Sequence, residues 1–211
     1  MKIIKSPHPN PIAGITDLPI SAPNMRIGLF GGSFNPPHEG HRLVSAQVMK
    51  RLNLDAIWWL VSPGNPLKNH DELMPLEQRV RAARDLINLP NVYATGFEAA
   101  HGFTYTYDSL FYLKKTLPGR KLVWVMGSDN LSNFHKWERW REIASLMPMA
   151  IYARPNSTNK AVASLAAINL AKFRLAQEDA CLLPTRKAPS WVYLRGIMSK
   201  ASSSAIRNKN N

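Results

Sequence analysis

The run R-I-G-L-F-G-G-S-F-N-P-P-H-E-G-H, residues 26–41, decides the reading of this chain. Residues 26–30 make a short strand candidate, and Gly31-Gly32 end it. A helix over residues 39–52 follows, with Val44, Val48 and Leu52 at helical spacing. The glycines let the backbone approach a ligand closely. The start of the helix offers free N–H groups and the positive end of a dipole, a natural anion site. His38 and His41 stand three residues apart, so both are expected to project from the first turn on one side. Two imidazoles aimed at one point can hydrogen-bond phosphate oxygens that gain charge in a transition state.

Outward from this run, apolar stretches alternate with amphipathic ones. A-I-W-W-L-V at residues 56–61 is unbroken, as expected of a strand covered on both faces. Further strands are predicted at 91–97, 122–126, 149–153 and 191–194. Pro75 is expected at the first position of a helix with Leu76, Val80, Ala83 and Ile87 along one face. Other helices are predicted over 106–117, capped by Thr106 and ended by Pro118-Gly119, and over 138–146. Residues 160–177, rich in alanine, read as one long helix, and a short terminal helix is expected from Ser204. Strand–helix alternation with apolar strands predicts an α/β fold with a parallel sheet and right-handed crossovers. Ligands of such sheets bind outside the carboxyl ends of the strands, near the switch in strand order.

The chain has 211 residues, with 27 Lys+Arg against 14 Asp+Glu, a formal charge of +13. At 45% hydrophobic and 19% charged residues it is too apolar for a disordered polycation and suits one compact domain. That domain is expected over 25–211. Residues 1–24, carrying Pro7, Pro9, Pro11, Pro19 and Pro23, read as an extended proline-rich leader without the apolar stretch of a secretory signal. No run is long enough to cross a membrane as a helix. The single Cys181 excludes an intrachain disulfide and a cysteine-rich zinc site, and is compatible with a cytoplasmic location. The positive charge raises nucleic-acid binding as a remote alternative. Against it, Lys and Arg are scattered, and neither an RNA-recognition motif nor zinc-finger pairs are visible. The charge is better read as a general surface field that speeds capture of anionic small molecules. No heptad seam announces an oligomer.

Further motifs fall just after predicted strands. Ser62-Pro63-Gly64-Asn65-Pro66-Leu67-Lys68 follows the second strand, and Gly127-Ser128-Asp129 the fourth. Thr104-Tyr105-Thr106 opens a helix, Phe134-His135-Lys136-Trp137 lies between helices, and Arg154-Pro155 follows the fifth strand. Near the end, Ser202-Ser203-Ser204-Ala205-Ile206-Arg207 joins hydroxyls, a helix start and one guanidinium, the makings of an anion clamp. By residue type alone, Lys68 and Arg154 are also readable as loop cations, Asp129 and Thr106 as helix caps, and Trp137 as core. Trp140 is the more core-like of the two tryptophans.

The stretch G-x-F-N-P-P-H-x-G-H resembles the signature of nucleotidyltransferases that share H-x-G-H on a Rossmann-like sheet. The F-N-P-P-H variant, with S-Y-T-like, G-x-D, F-x-x-W, R-P and I-S-S-T-x-I-R-like segments in order, is most similar to the bacterial nicotinate-mononucleotide adenylyltransferases. The resemblance implies a Rossmann-like, doubly wound parallel sheet with helices on both faces. It implies transfer of the adenylyl group of ATP to nicotinate mononucleotide, giving nicotinate adenine dinucleotide and pyrophosphate in NAD biosynthesis. The alternative is nicotinamide mononucleotide or another phosphate acceptor. His38, His41, Lys68 and Arg207 are the implied catalytic set, with His41 foremost. Gly31, Gly32, Ser33, Phe34, Gly40, Asp129, Ser203 and Ser204 would lie on ATP. Asn35, Thr106, Trp137 and Arg154 would lie on the mononucleotide. Mg²⁺ is expected on the ATP phosphates, and no carboxylate cluster reads as a dedicated metal site. Ala201 and Ser204 stand where the pattern has Ile and Thr, which bears on the rigidity of the clamp.

Overall fold

Successive strand residues point alternately to two covered faces, which is why the strands are apolar throughout rather than alternating with polar residues. The computed structural model describes residues 14–64, 73–155, 158–197, 199, 203, 206 and 207. In chain order the elements are β1 (Arg26–Gly32), α1 (Glu39–Leu52), β2 (Ala56–Val61), α2 (Leu76–Leu86) and β3 (Val92–Thr95). Then come α3 (Phe97–Ala100), α4 (Thr106–Thr116), β4 (Lys121–Gly127), α5 (Ser128–Asn133), α6 (Trp140–Leu146) and β5 (Met149–Tyr152). The last are α7 (Thr158–Val162), α8 (Leu165–Asn169), β6 (Arg174–Leu175) and β7 (Trp191–Leu194). The strands form one sheet in the order β3-β2-β1-β4-β5-β7-β6. Every pairing is parallel, with Phe30 of β1 in register with Trp59 of β2 and with Val125 of β4. The sheet is therefore doubly wound, and the order reverses between β1 and β4, where a crevice opens at the carboxyl ends of the strands.

One face buries Ile27, Leu29, Trp58, Leu60, Trp124 and Met126 against Leu110 and Leu113 of α4 and Ile143 of α6. The other buries Phe30, Ile57, Trp59, Val61 and Val125 against Val44 and Val48 of α1 and Val80 and Ala83 of α2. Trp140 belongs to the first core, as its sequence position suggests. No helix of the described residues is long and apolar enough to cross a membrane.

Residues 14–24 contain no helix or strand, yet they are tied to the domain. Ile15 O accepts from Gly96 N at 2.8 Å, Gly14 O from Arg84 Nη2 at 2.7 Å, and Ser21 O from Arg120 Nη2 at 2.7 Å. Leu18 packs on the first core. Contacts of the folded body thus begin before Met25.

The long helix expected over 160–177 is not formed. Residues 158–175 instead make α7, α8, a 3₁₀ turn Ala171–Phe173 and the short β6. Ser164 Oγ accepts from Ala167 N at 3.2 Å and so starts a new helix inside the alanine-rich run. Trp191 Nε1 donates to Leu170 O at 2.8 Å, taking a carbonyl that a continuing helix would need. Two other boundaries move by cap chemistry. Pro75 and Tyr105 are the cap residues of α2 and α4, so Thr106 is the first helical residue rather than the cap. Arg139, at φ 54°, is left-handed and delays α6 to Trp140.

Candidate functional site

The crevice is built from the inside out. His38 is not in the first turn of α1 but is its N-cap, in extended conformation. Its Nδ1 accepts from Gly40 N at 3.1 Å, while His41 Nδ1 accepts from His38 N at 3.1 Å. Histidine thus fills both positions of a capping box more often made by Ser/Thr and Glu. With both Nδ1 atoms accepting, each neutral ring carries its proton on Nε2. His38 is only 4% exposed, and its Nε2 finds no partner among the described residues.

The rings lie on a rigid stack. The His38 and His41 centroids are 3.9 Å apart, and His41 lies 4.7 Å from Phe34. Phe34 in turn stacks on Trp59 at 4.9 Å and 10°. Trp59 Nε1 donates to Ser45 Oγ at 2.7 Å, and that hydroxyl donates to His41 O at 3.0 Å, closing the stack onto α1. Burial, then the positive field of Arg154, pushes the His38 imidazole down to about 4. Burial, His38 and Arg154 hold His41 well below the usual imidazole range. Both are neutral N–H donors at pH 7 rather than cations.

Three other groups meet here. After β4 and β5, Arg154 Nη1 pairs with Asp129 Oδ2 at 3.2 Å, and Arg154 N donates to Ser128 Oγ at 2.8 Å. The chain's last segment reaches back across the sheet: Ser203 Oγ donates to Pro36 O at 2.9 Å and Arg207 Nη1 to Asn35 O at 2.6 Å. Asn35 Oδ1 also accepts from Met74 N at 3.1 Å, joining the loops after β1 and β2. Beside these runs a cavity of about 380 Å³, with Gly31, Gly32, Ser33, Thr106, Trp124 and Trp137 in its wall. Gly31 is required by packing. A Cβ there would stand 2.1 Å from the Trp124 indole.

Most of the residues singled out in the sequence fall into these groups. Phe34 is 1% exposed, so its ring is a platform under His41 rather than a surface for a ligand. Gly40 is buried and serves the cap with its N–H. Asp129 and Arg154, assigned to different substrates, are paired with each other. Lys68 and Ser204 lie outside the described residues.

Two residues that sequence reading missed are central to the geometry. Arg79 is 1% exposed and donates to four carbonyls: from Nε to Met74 O and from Nη1 to Ser33 O and Ser62 O, all at 2.7 Å, and from Nη2 to Pro63 O at 3.3 Å. Its spacing from Leu76 and Ala83 puts it on the inner face of α2, the one signal that could have found it. Glu98 lies in the cavity wall, buried, accepting from Ser109 Oγ at 2.6 Å. No motif marks it.

Comparison with known proteins gives one picture. The profile of the family described as cytidylyltransferase-like matches residues 29–209. A protein of Agrobacterium fabrum named probable nicotinate-nucleotide adenylyltransferase is 46% identical over 184 residues, 87% of this chain and 98% of that protein. One of the same name from Methylorubrum extorquens is 49% identical over 185 residues, 88% of this chain and all of its own. Among solved structures, the Plasmodium falciparum nicotinic acid mononucleotide adenylyltransferase complexed with NaAD has the same fold. Its TM-score is 0.66 at 19% identity, covering 86% of this chain and 82% of that one.

Proposed function

The chain belongs to the nicotinate-nucleotide adenylyltransferases of the cytidylyltransferase-like family, and we propose that it adenylates nicotinate mononucleotide in the crevice between β1 and β4. An oxygen of the mononucleotide phosphate attacks the α-phosphorus of ATP. The bond from that phosphorus to the bridging oxygen breaks, and pyrophosphate leaves with the electron pair. The attacking phosphate is largely dianionic at pH 7, its second pKa being about 6, so no side chain is needed as a base. Catalysis then reduces to positioning and to stabilising charge on the transferring group and the leaving pyrophosphate.

His38 and His41 are the donors for that charge. The observation that carries this role is the His38 ring, buried with its Nδ1 occupied and its Nε2–H without a partner among the described residues. A buried donor left unpaired is destabilising and is satisfied by a phosphate oxygen. Because the rings are neutral, they strengthen hydrogen bonds as charge grows without holding pyrophosphate as fixed cations would. Arg207 and Lys68 supply positive charge, and ATP enters as its Mg²⁺ complex, whose ion neutralises phosphate oxygens. Ser33, Gly31 and Gly32 offer backbone beside the N-terminus of α1. Ser203 and Ser204 close over the phosphates, and Asp129 reaches the ATP ribose and adenine.

Trp137, partly exposed in the cavity with Thr106, is the platform for the pyridine ring, with Asn35 and Arg154 toward its phosphate. An indole face contributes about 0.5–1.5 kcal/mol of stacking beyond burial. Trp137→Ala is therefore expected to raise KM for the mononucleotide roughly tenfold and KM for ATP less than twofold. Steady-state titration of each substrate checks this, and equal rises would make Trp137 structural.

The reaction itself is tested with the purified full chain, ATP, Mg²⁺ and nicotinate mononucleotide. Pyrophosphate and nicotinate adenine dinucleotide should appear in equal amounts. Pyrophosphate release without the dinucleotide, or neither product, overturns the assignment.

A further inference from the structure

Glu98 is a carboxyl group for which the mechanism above has no use, although it lies in the wall of the cavity that holds Trp137 and Thr106. One of its oxygens accepts from Ser109 Oγ at 2.6 Å. Among the described residues the other has no hydrogen-bond partner, and no cation pairs with the group. A buried carboxyl group without a cation retains its proton, because the ionised form loses its hydration and gains nothing in exchange. Its surroundings are mostly uncharged. Trp58 and Leu60 of β2 share a core with Phe97 of α3, Asp108 and Tyr112 are on α4, and Tyr105 is the cap of α4. His101, at the end of α3, stacks among Phe97, Phe103 and Tyr112. Lys136 and Glu138, both exposed, stand in the cavity wall. None of these ionisable groups bonds to the Glu98 carboxyl.

We propose that Glu98, carrying its proton, reads the ring substituent of the mononucleotide: the neutral acid donates a hydrogen bond to the nicotinate carboxylate, whereas the ionised form repels that carboxylate and accepts from the amide of nicotinamide mononucleotide. The inference rests on the reading of the cavity as the mononucleotide site. Burial raises the Glu98 carboxyl to about 7, against the opposing pull of the Ser109 hydroxyl. The discrimination between acid and amide therefore changes within the neutral range. A group whose proton is held until about pH 7 favours the acid substrate below that pH and disfavours it above.

The test is the ratio of kcat/KM for nicotinate mononucleotide to that for nicotinamide mononucleotide between pH 6 and pH 8. Both substrates carry the same phosphate, and the nicotinate carboxyl is ionised throughout, so the phosphate and the histidines cancel from the ratio. With the native chain the ratio should fall about tenfold over these two pH units. Glu98→Gln, near in shape and able to keep the Ser109 bond, should make it independent of pH. Ser109→Ala, which removes the hydroxyl that favours the ionised form, should move the midpoint to higher pH. A flat ratio with the native chain, an unchanged slope in Glu98→Gln, or a midpoint unmoved in Ser109→Ala overturns the proposal. Should Glu98→Gln fail to fold, the native and Ser109→Ala profiles decide. Failure to adenylate either mononucleotide overturns the assignment of the site. Active adenylation with a flat ratio overturns the role of Glu98 alone.

Discussion

Replacing His41 by alanine is expected to lower kcat by roughly 10²–10³, the loss found when one preorganised donor to a developing oxyanion is removed. The fold should survive. His41 Nδ1 accepts from the His38 backbone, so its loss opens half of a capping box, which costs about 1 kcal/mol. In a domain of this size that lowers Tm by about 2–4 °C. The two effects separate cleanly: turnover is followed by pyrophosphate release at a temperature far below the transition, and Tm by thermal unfolding. Near-normal turnover would remove His41 from the mechanism. Acidification acts elsewhere. His38 stays neutral in the folded protein down to about pH 4. Its unfolded form takes up a proton near pH 6.5. Since the folded pKa is the lower one, His38 destabilises the fold as pH falls from about 6.5 toward 4.

The second large effect is structural. Arg79→Met keeps most of the aliphatic stem but leaves four carbonyls on three loop segments without their donors. Each buried acceptor so stranded costs about 1–3 kcal/mol before water enters. After partial rehydration, a net loss on the order of 3 kcal/mol is expected, a fall in Tm of about 6–12 °C. Because Ser33 and Ser62 lie at the carboxyl ends of β1 and β2, KM for ATP should rise as well. Arg79→Lys should rescue little, since one ammonium cannot span a fork that reaches four acceptors. Thermal unfolding of both variants checks this, and a Tm within 2 °C of the native chain would show that the loops hold without the guanidinium.

Particular residues show how far the sequence reaches. The run 26–41 announced strand, turn and helix because its signals are local: apolar residues, two glycines, then helical spacing. The parallel sheet followed from strands such as 56–61, whose lack of polar alternation requires cover on both faces. The alanine-rich run 160–177 misled, because helix propensity there is overridden by the Ser164 cap and by the indole of Trp191, 21 residues away from the carbonyl it takes. Phe34 and Gly40 sit inside the motif, yet packing gives them supporting places under and within the histidine cap rather than an open face.

By itself the sequence determined the α/β order, the placing of the motifs just after strands, and the residue types gathered there, since these depend on patterns within a few turns of chain. Only the tertiary structure decided the protonation and tautomer of His38 and His41, the reach of Arg207 to Asn35, the four-carbonyl grip of Arg79 and the burial of Glu98. Each of these is set by which groups from distant parts of the chain exclude water or offer a partner, and desolvation and hydrogen bonding between such groups have no signature in local spacing.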